Sequence, residues 1–131
     1  MSAETNADEL LAINQRLLDS IAAGDWLTYK ELCDSTLTAF EPEACGQLVK
    51  GLQFHYFYFD HDDHRTRHQT TMVHPRVRLM GEAAVITYVR LNQRVGPDGQ
   101  AHSAAYEETR IWQKQADGQW RHVHFHRSRA V

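Results

Sequence analysis

The order of apolar and polar positions predicts helices at the start of the chain. From Asp8 to Ile21 apolar residues recur at helical spacing, with Asn14 as a polar break. Gly24 suits the end of that helix, and Asp25 suits the N-cap of a second, short helix. The pattern therefore predicts two consecutive helices.

Two further segments follow before the pattern changes. TLTAF (36–40) alternates and is rich in β-formers, which predicts a short strand that Glu41 and Pro42 end. GLQFHYFYF (51–59) is aromatic on nearly every side, which is typical of a short buried helix.

After about residue 68 the chain becomes strand-like. Four runs alternate in the manner of strands: 70–80, 83–95, 102–114 and 119–128. Their connections, GE, GPDGQA and ADG, are short and rich in glycine and aspartate, as hairpins require. We predict an α+β fold in which N-terminal helices cover one face of a curved antiparallel sheet. It forms a single domain over residues 8–129, after a flexible N-terminus at residues 1–7.

Composition and charge exclude several classes of function. The 131 residues are 42% hydrophobic and 24% charged, which is typical of a globular protein. The formal net charge of −3 does not favour binding to nucleic acid or to anionic membranes. No apolar run reaches the length of a membrane span, and the N-terminus lacks the pattern of a signal peptide. The two cysteines, Cys33 and Cys45, are too few for a disulfide scaffold, and we expect them to pack as small hydrophobes. We expect a cytoplasmic protein with no nucleic-acid or membrane partner.

The segment VHFHRS (123–128) places an arginine in line with apolar residues. In a regular strand Val123, Phe125 and Arg127 share one face, and the three histidines at 122, 124 and 126 share the other. The two preceding strands show the same feature. Arg90 follows Ile86 and Tyr88 on one face, and Arg110 lies between residues 108 and 112. Three arginines on three neighbouring strands indicate a lined cavity.

Two interpretations of these arginines stay open at this point. Glu108 can offset one positive charge and Glu41 another, so at least one guanidinium is left over. Because arginine matches the planar fork of a carboxylate or phosphate, the cavity is interpreted as a pocket for a small anion. The alternative is an internal or intersubunit salt-bridge network that binds no ligand.

The histidines do not form a convincing metal site. His122, His124 and His126 alternate on one strand without a further ligand, and His61, His64 and His68 lie in a polar, charged segment. We therefore predict no metal and no cofactor.

An enzymatic alternative uses a carboxylate in an apolar pocket. The sequence lacks GxSxG, GxGxxG, P-loop and HExxH motifs. Glu41 or Glu108 could act as a general base, with His55 or a pocket tyrosine as hydrogen-bond donor. A neighbouring arginine would lower the pKa of such a carboxylate and weaken it as a base.

Several long motifs resemble the association (hub) domain of calcium/calmodulin-dependent protein kinase II. The matching segments are TAFEPEA (38–44), GLQFHYFYF (51–59), HPRVRLMG (74–81), YEETRIW (106–112) and WRHVHFHRS (120–128). The resemblance implies a cone-shaped nuclear transport factor 2-like fold, with N-terminal helices on a strongly curved sheet that encloses a pocket. It also implies a homodimer or a larger ring, and carboxylate-binding residues at His55, Arg90, Arg110 and Arg127.

The sequence departs from that family in two places. DHDDHRTRHQ (60–69) replaces a differently composed loop, and Cys45 replaces a larger apolar residue. No kinase catalytic domain or calmodulin-binding segment accompanies the motifs, so we expect a stand-alone member.

The leading hypothesis is a homo-oligomeric binding module whose pocket takes a small organic acid. The predicted pocket walls are Tyr88, Tyr106, Glu108, Trp112 and Phe125. The dimer is expected to pair convex sheet faces and to bury part of the His122, His124 and His126 row. The alternative is an isomerase, dehydratase or polyketide-cyclase-like enzyme with Glu41, His55 and Glu108 as catalytic residues.

Overall fold

The computed structural model describes residues 3–61 and 68–130 as helices on a curved, six-stranded sheet. The helices are α1 (Ala3–Ala23), α2 (Trp26–Leu32) and α3 (Gln53–His61), with a 3-10 turn at Pro42–Ala44. The strands are β1 (Cys33–Phe40), β2 (Val49–Lys50), β3 (His68–Met80), β4 (Ala83–Val95), β5 (Ala101–Lys114) and β6 (Trp120–Arg129). The predicted α+β class is confirmed.

The two N-terminal helices form as the pattern predicts, although α1 begins at Ala3 rather than Asp8. Gly24 takes a φ of 69° after α1, and the Asp25 carboxylate accepts a hydrogen bond from the Thr28 backbone at the N-cap of α2. The flexibility of residues 1–7 stays a prediction.

Asn14, the polar break in α1, is fully buried and serves packing. Its side-chain oxygen accepts a hydrogen bond from the Trp112 indole at 3.0 Å, and its amide nitrogen lies 3.2 Å from the Met72 sulfur. Because Met72 and Trp112 lie on strands of the sheet, the Asn14 side chain holds α1 against the sheet.

The sheet order is β2-β1-β6-β5-β4-β3. The last four strands form the predicted antiparallel meander. The sequence did not predict β2, nor the parallel pairing of β1 with β6 that extends the sheet. Pro75 lies in β3, which is an edge strand and so tolerates a residue without a backbone N–H. Next to it His74 has a φ of 52°, where the β3–β4 register shifts.

The core lies between α1, α2 and the concave face of the sheet. Its fully buried apolar side chains include Leu10, Leu17, Leu18, Leu37, Ile86 and Trp112.

Two local expectations are wrong. The α3 helix is not buried all round, because Tyr56 is 41% and Phe57 55% exposed. Only one side of α3 faces the core, where Phe54 and Phe59 pack against it. Cys45 does not pack as a small hydrophobe: it is exposed and adopts a left-handed backbone (φ 54°) just after the 3-10 turn.

Candidate functional site

A pocket of about 700 Å³ lies between the helices and the concave face of the sheet, and it is open to solvent. Its lining includes the four residues expected to bind a carboxylate: His55, Arg90, Arg110 and Arg127. Phe59 and Tyr29 contribute apolar wall on the helical side.

The side chains of the meander enter the pocket in successive rows across the strands. The first row pairs Arg110 with Phe125, and the second pairs Glu108 with Arg127. In the third row Tyr106 pairs with Arg90 on one side and with Arg129 on the other. We call Arg110 and Phe125 of the first row, together with Glu108 and Tyr88, the floor of the pocket.

Glu108 is the centre of the floor and is 2% exposed. It accepts hydrogen bonds from the Tyr88 hydroxyl at 2.6 Å, from Arg90 at 3.1 Å and from Arg110 at 3.2 Å. Burial alone would raise the pKa of Glu108, but the charges of Arg110 and Arg90 and the Tyr88 hydroxyl lower it to about 2. Glu108 is therefore a permanent counter-ion for two guanidinium groups.

Arg110 is held on every side and is 1% exposed. Its guanidinium stacks on the Phe125 ring at 4.3 Å, and its Nε donates to the Tyr88 hydroxyl at 2.9 Å. Burial alone would lower the pKa of Arg110, but the Glu108 carboxylate raises it overall. Arg110 stays charged and fixed in place.

His122 lies on the floor side of the sheet, contrary to the expected histidine row. The register between β5 and β6 shifts between Ile111 and Trp112, so Val123 is an extra residue that turns His122 inward. His122 is fully buried, with its Nε2 3.4 Å from an Arg110 nitrogen and its Nδ1 3.5 Å from the Cys33 sulfur.

The neighbours of His122 fix its charge state. Burial, and next the charge of Arg110, lower the pKa of His122 well below its ordinary value, so the ring is neutral. A neutral ring whose Nε2 accepts from Arg110 carries its proton on Nδ1, towards Cys33. Burial raises the pKa of the Cys33 thiol to about 12, so the thiol is neutral as well.

Arg127 lies nearer the opening, and its side chain is 13% exposed. It forms an ion pair with Glu43 and a longer one, at 3.9 Å, with Glu41. Its guanidinium also lies 4.6 Å above the Tyr106 ring. Burial alone would raise the pKa of Glu43, but the hydrogen bond and charge of Arg127 lower it overall.

Glu43 corrects the charge count made from the sequence. With Glu41 and Glu108 it gives three carboxylates for the three arginines, so no guanidinium of these three lacks a counter-ion. The 3-10 turn that follows the predicted end of β1 brings Glu43 to the pocket.

His55 is engaged with Glu41 rather than free to meet a ligand. The His55 Nε2 lies 2.6 Å from a Glu41 oxygen, and both side chains are less than 10% exposed. The other ring nitrogen, Nδ1, is buried without a hydrogen-bond partner among the described residues.

From the third row outward the pocket opens at a rim that is also basic. In the outermost row Arg94 pairs with His68 on one side and with His102 on the other. Arg94 and Arg129 are exposed and line the pocket, and within residues 3–61 and 68–130 neither forms an ion pair or a side-chain hydrogen bond. His102 lies 3.7 Å from Asp98.

The structure brings most of the predicted site residues to one pocket, but not all of the predicted walls. Tyr106 and Phe125 line it. Tyr88, Glu108 and Trp112 instead lie behind the lining, because the arginine side chains cover the first two and α1 covers the indole.

Four residues of the site were missed from the sequence: Glu43, His122, Arg94 and Arg129. Strand parity continued beyond Arg90 and Arg127 would have found the last two. The bulge that turns His122 inward has no comparable signal in the sequence.

The histidine-rich segment 61–68 lies largely outside the described residues. Among the residues that are described, no three histidine, cysteine or acidic side chains come together in a way that could hold a metal ion. No described helix has the length and apolar character to cross a membrane.

The fold and the pocket together define the class of the protein. A nuclear transport factor 2-like superfamily protein from Salmonella enterica has a similar structure, with a TM-score of 0.82 at 22% identity, over 99% of this chain and 94% of that one. At that identity the likeness concerns the fold alone, and it confirms the predicted nuclear transport factor 2-like fold.

Closer relatives identify the family. The family described as calcium/calmodulin dependent protein kinase II association domain matches residues 6–131. The hub homology domain of Chlamydomonas reinhardtii is 44% identical, with a TM-score of 0.89, over 96% of this chain and 99% of that one. The chain therefore belongs to the calcium/calmodulin-dependent protein kinase II association domain family.

The curated relatives are much longer proteins. The Drosophila melanogaster calcium/calmodulin-dependent protein kinase type II alpha chain is 47% identical over 123 residues, which are 92% of this chain and 23% of that protein. This chain thus spans about a quarter of the relative's length.

Proposed function

We propose that the chain is a self-associating module whose pocket binds a small carboxylate. The single observation that supports this best is the position of Arg127, a partly exposed arginine in the pocket wall. Related structures include a hub homology domain from Chlamydomonas reinhardtii and the association domain of the Caenorhabditis elegans kinase, which supports self-association.

Arg127 has donors left over for a ligand. Its ion pairs with Glu43 and Glu41 both use Nη2, which leaves Nε and Nη1 without a hydrogen-bond partner among the described residues. Because guanidinium binds carboxylates through pairs of parallel N–H groups, Arg127 can accept a second carboxylate or exchange its first.

Glu43 occupies the position that a ligand carboxylate would take. Its side chain is 33% exposed, so it can leave Arg127 for water at small cost. We therefore expect an incoming carboxylate to compete with Glu43 for Arg127.

The other predicted binding residues support the site in different ways. Arg90 donates through Nε to Asn92 and through Nη1 to Glu108, which leaves Nη2 without a hydrogen-bond partner among the described residues and available as a second donor. Arg110 adds positive potential from the floor. His55 acts through Glu41, which it holds in place, rather than by direct donation.

A calorimetric titration with butyrate tests the carboxylate site. We expect Arg127→Ala to weaken binding at least about tenfold, because it removes the main donor. Glu43→Gln should tighten binding, because it removes the competing charge. Arg121→Ala is the matched control, since Arg121 lies on the same strand, pairs with exposed Asp117, and does not line the pocket.

Two results would contradict this site. Unchanged affinity in Arg127→Ala would remove its central residue. Weaker binding in Glu43→Gln would mean that Glu43 helps to hold the ligand instead of competing with it.

Self-association is proposed through the outer face of β1 and β6. Phe40 is 41% exposed there and lies 6.1 Å from the His124 ring and 5.8 Å from the His126 ring. An exposed aromatic cluster on a sheet face is typical of an interface. His122 does not contribute, because it is buried in the core.

Light scattering on Phe40→Asp tests this face. The substitution places a charge in the proposed contact, so we expect a lower molecular mass than that of the wild type. Leu27→Asp is the control, because Leu27 is 78% exposed on α2, away from this face. An unchanged mass in Phe40→Asp, or an equal loss in Leu27→Asp, would argue against the assignment.

The short Glu41–His55 contact favours one form of the enzymatic alternative. Glu108 is unsuited to it, because a carboxyl with a pKa of about 2 is a weak base. Glu41 and His55 remain as an acid–base pair at 2.6 Å. Transfer of solvent deuterium into a bound acid, lost in Glu41→Gln, would support catalysis; no transfer would leave the binding function alone.

A further inference from the structure

The rim of the pocket carries positive charge that the floor does not. The three inner arginines are matched by three glutamates, whereas Arg94 and Arg129 have no ion pair within the described ranges 3–61 and 68–130. Both line the same pocket as Arg127. The uncompensated arginine charge of the pocket therefore lies at its opening.

The strand register gives the spacing between the inner site and this rim. Arg129 follows Arg127 by two residues on β6, so the two side chains leave the same face about 7 Å apart along the strand. Tyr106 pairs with Arg129, and its ring lies under the Arg127 guanidinium. A flat aromatic surface thus lies beside both positive charges.

We propose that Arg129 forms a second anion subsite, so that the preferred ligand is a dicarboxylate rather than a monocarboxylate. This proposal rests on the carboxylate site at Arg127. One carboxylate exchanges with Glu43 at Arg127, the second meets Arg129 at the opening, and Arg94, further out in the same pocket, adds positive potential. The Tyr106 ring packs against the apolar chain that joins the two carboxylates.

The exposed position of the subsite determines how strongly it acts. Each exposed ion pair contributes a modest free energy, so the second carboxylate should improve affinity about tenfold at low salt. The preference should shrink as salt is added, since both guanidinium groups are solvated.

A paired titration with adipate and hexanoate tests the subsite. The two acids have the same chain length and differ only in the second carboxylate. We expect the wild type to bind adipate about tenfold more tightly than hexanoate. Arg129→Gln should reduce this ratio most and Arg94→Gln less, because each weakens adipate binding more than hexanoate binding.

Arg78→Gln is the matched control for net charge. Arg78 is an exposed arginine of β3 that does not line the pocket, so its loss should keep the adipate preference. If Arg78→Gln reduces the preference as much as Arg129→Gln does, the effect is one of overall charge and the subsite is refuted.

The remaining outcomes separate this inference from the proposed function. Equal affinity of the wild type for both acids, with both still dependent on Arg127, would overturn the subsite and leave the carboxylate site intact. Failure of both acids to bind would overturn the two together. Circular dichroism of each variant checks that the fold is retained.

Discussion

The floor and the rim of the pocket contain the same residue type in opposite circumstances. On the floor Arg110 is 1% exposed and surrounded by Glu108, Tyr88, Phe125 and His122. At the rim Arg129 is exposed and has no ion pair within the described part of the chain. Burial decides what each arginine does: the buried one requires partners that use up its donors, and the exposed one keeps its donors for a ligand.

Arg127 lies between these two extremes. It is partly exposed, and the partner it holds, Glu43, is the most exposed of the three pocket glutamates with described ion pairs. The contrast teaches that a count of arginines cannot distinguish a structural network from a binding site. Their counter-ions and exposure can.

The largest effect should come from breaking the floor. Glu108→Gln leaves Arg90 and Arg110 without their shared carboxylate, and we expect it to lower the free energy of unfolding by about 3–5 kcal/mol. Urea denaturation followed by circular dichroism measures this. Glu107→Gln, at the next and exposed position of β5, should stay within about 0.5 kcal/mol. Similar losses in the two variants would remove the distinction between buried and exposed charge.

The same carboxylate should make stability depend on pH. The pKa of Glu108 falls from an ordinary 4.5 to about 2 in the folded chain, so the unfolded chain binds its proton more readily. Its contribution is complete above about pH 4.5 and is lost as the pH falls towards 2. Thermal melts across this range should show that loss in the wild type, and it should be smaller in Glu108→Gln. An identical pH profile in both proteins would contradict the role.

A smaller effect should come from the neutral histidine behind Arg110. His122→Phe keeps a ring in the core but leaves an Arg110 N–H without its acceptor, which should cost about 1–3 kcal/mol. Gln113→Phe, at an exposed position of the neighbouring strand β5, is the control and should be nearly neutral.

The dependence of stability on pH gives a second test of the role of His122. Because its pKa is lowered in the folded state, stability in the wild type should decline as the pH falls below about 6.5, less so in His122→Phe. If His122→Phe has the wild-type free energy of unfolding at pH 7 and the same decline below pH 7, the His122 ring does not support Arg110.

Much of the fold could be predicted because the strands of the meander alternate regularly. On β4 and β5 the alternation placed Arg90 and Arg110 on the inner face, as found. On β6 it failed at His122, because one extra residue at Val123 reverses the faces and no residue type marks that bulge. The parallel pairing of β1 with β6 was also out of reach, because it depends on contacts between distant parts of the chain.

The candidate site was harder to predict than the fold. Its arginines could be chosen from parity, but their charge balance depends on Glu43, which a short 3-10 turn brings to Arg127. Turns of this kind are set by tertiary packing, so the sequence suggested an excess of positive charge on the floor. Among the described residues that line the pocket, the arginines without an ion pair are Arg94 and Arg129, at the rim.

A crystal structure of the protein with adipate tests the contrast between floor and rim most directly. Our account predicts one carboxylate on Arg127 with Glu43 displaced, the other beside Arg129, and the Glu108 network unchanged. Adipate bound to the floor with Glu108 displaced from Arg110, or a pocket left empty at saturating adipate, would contradict it.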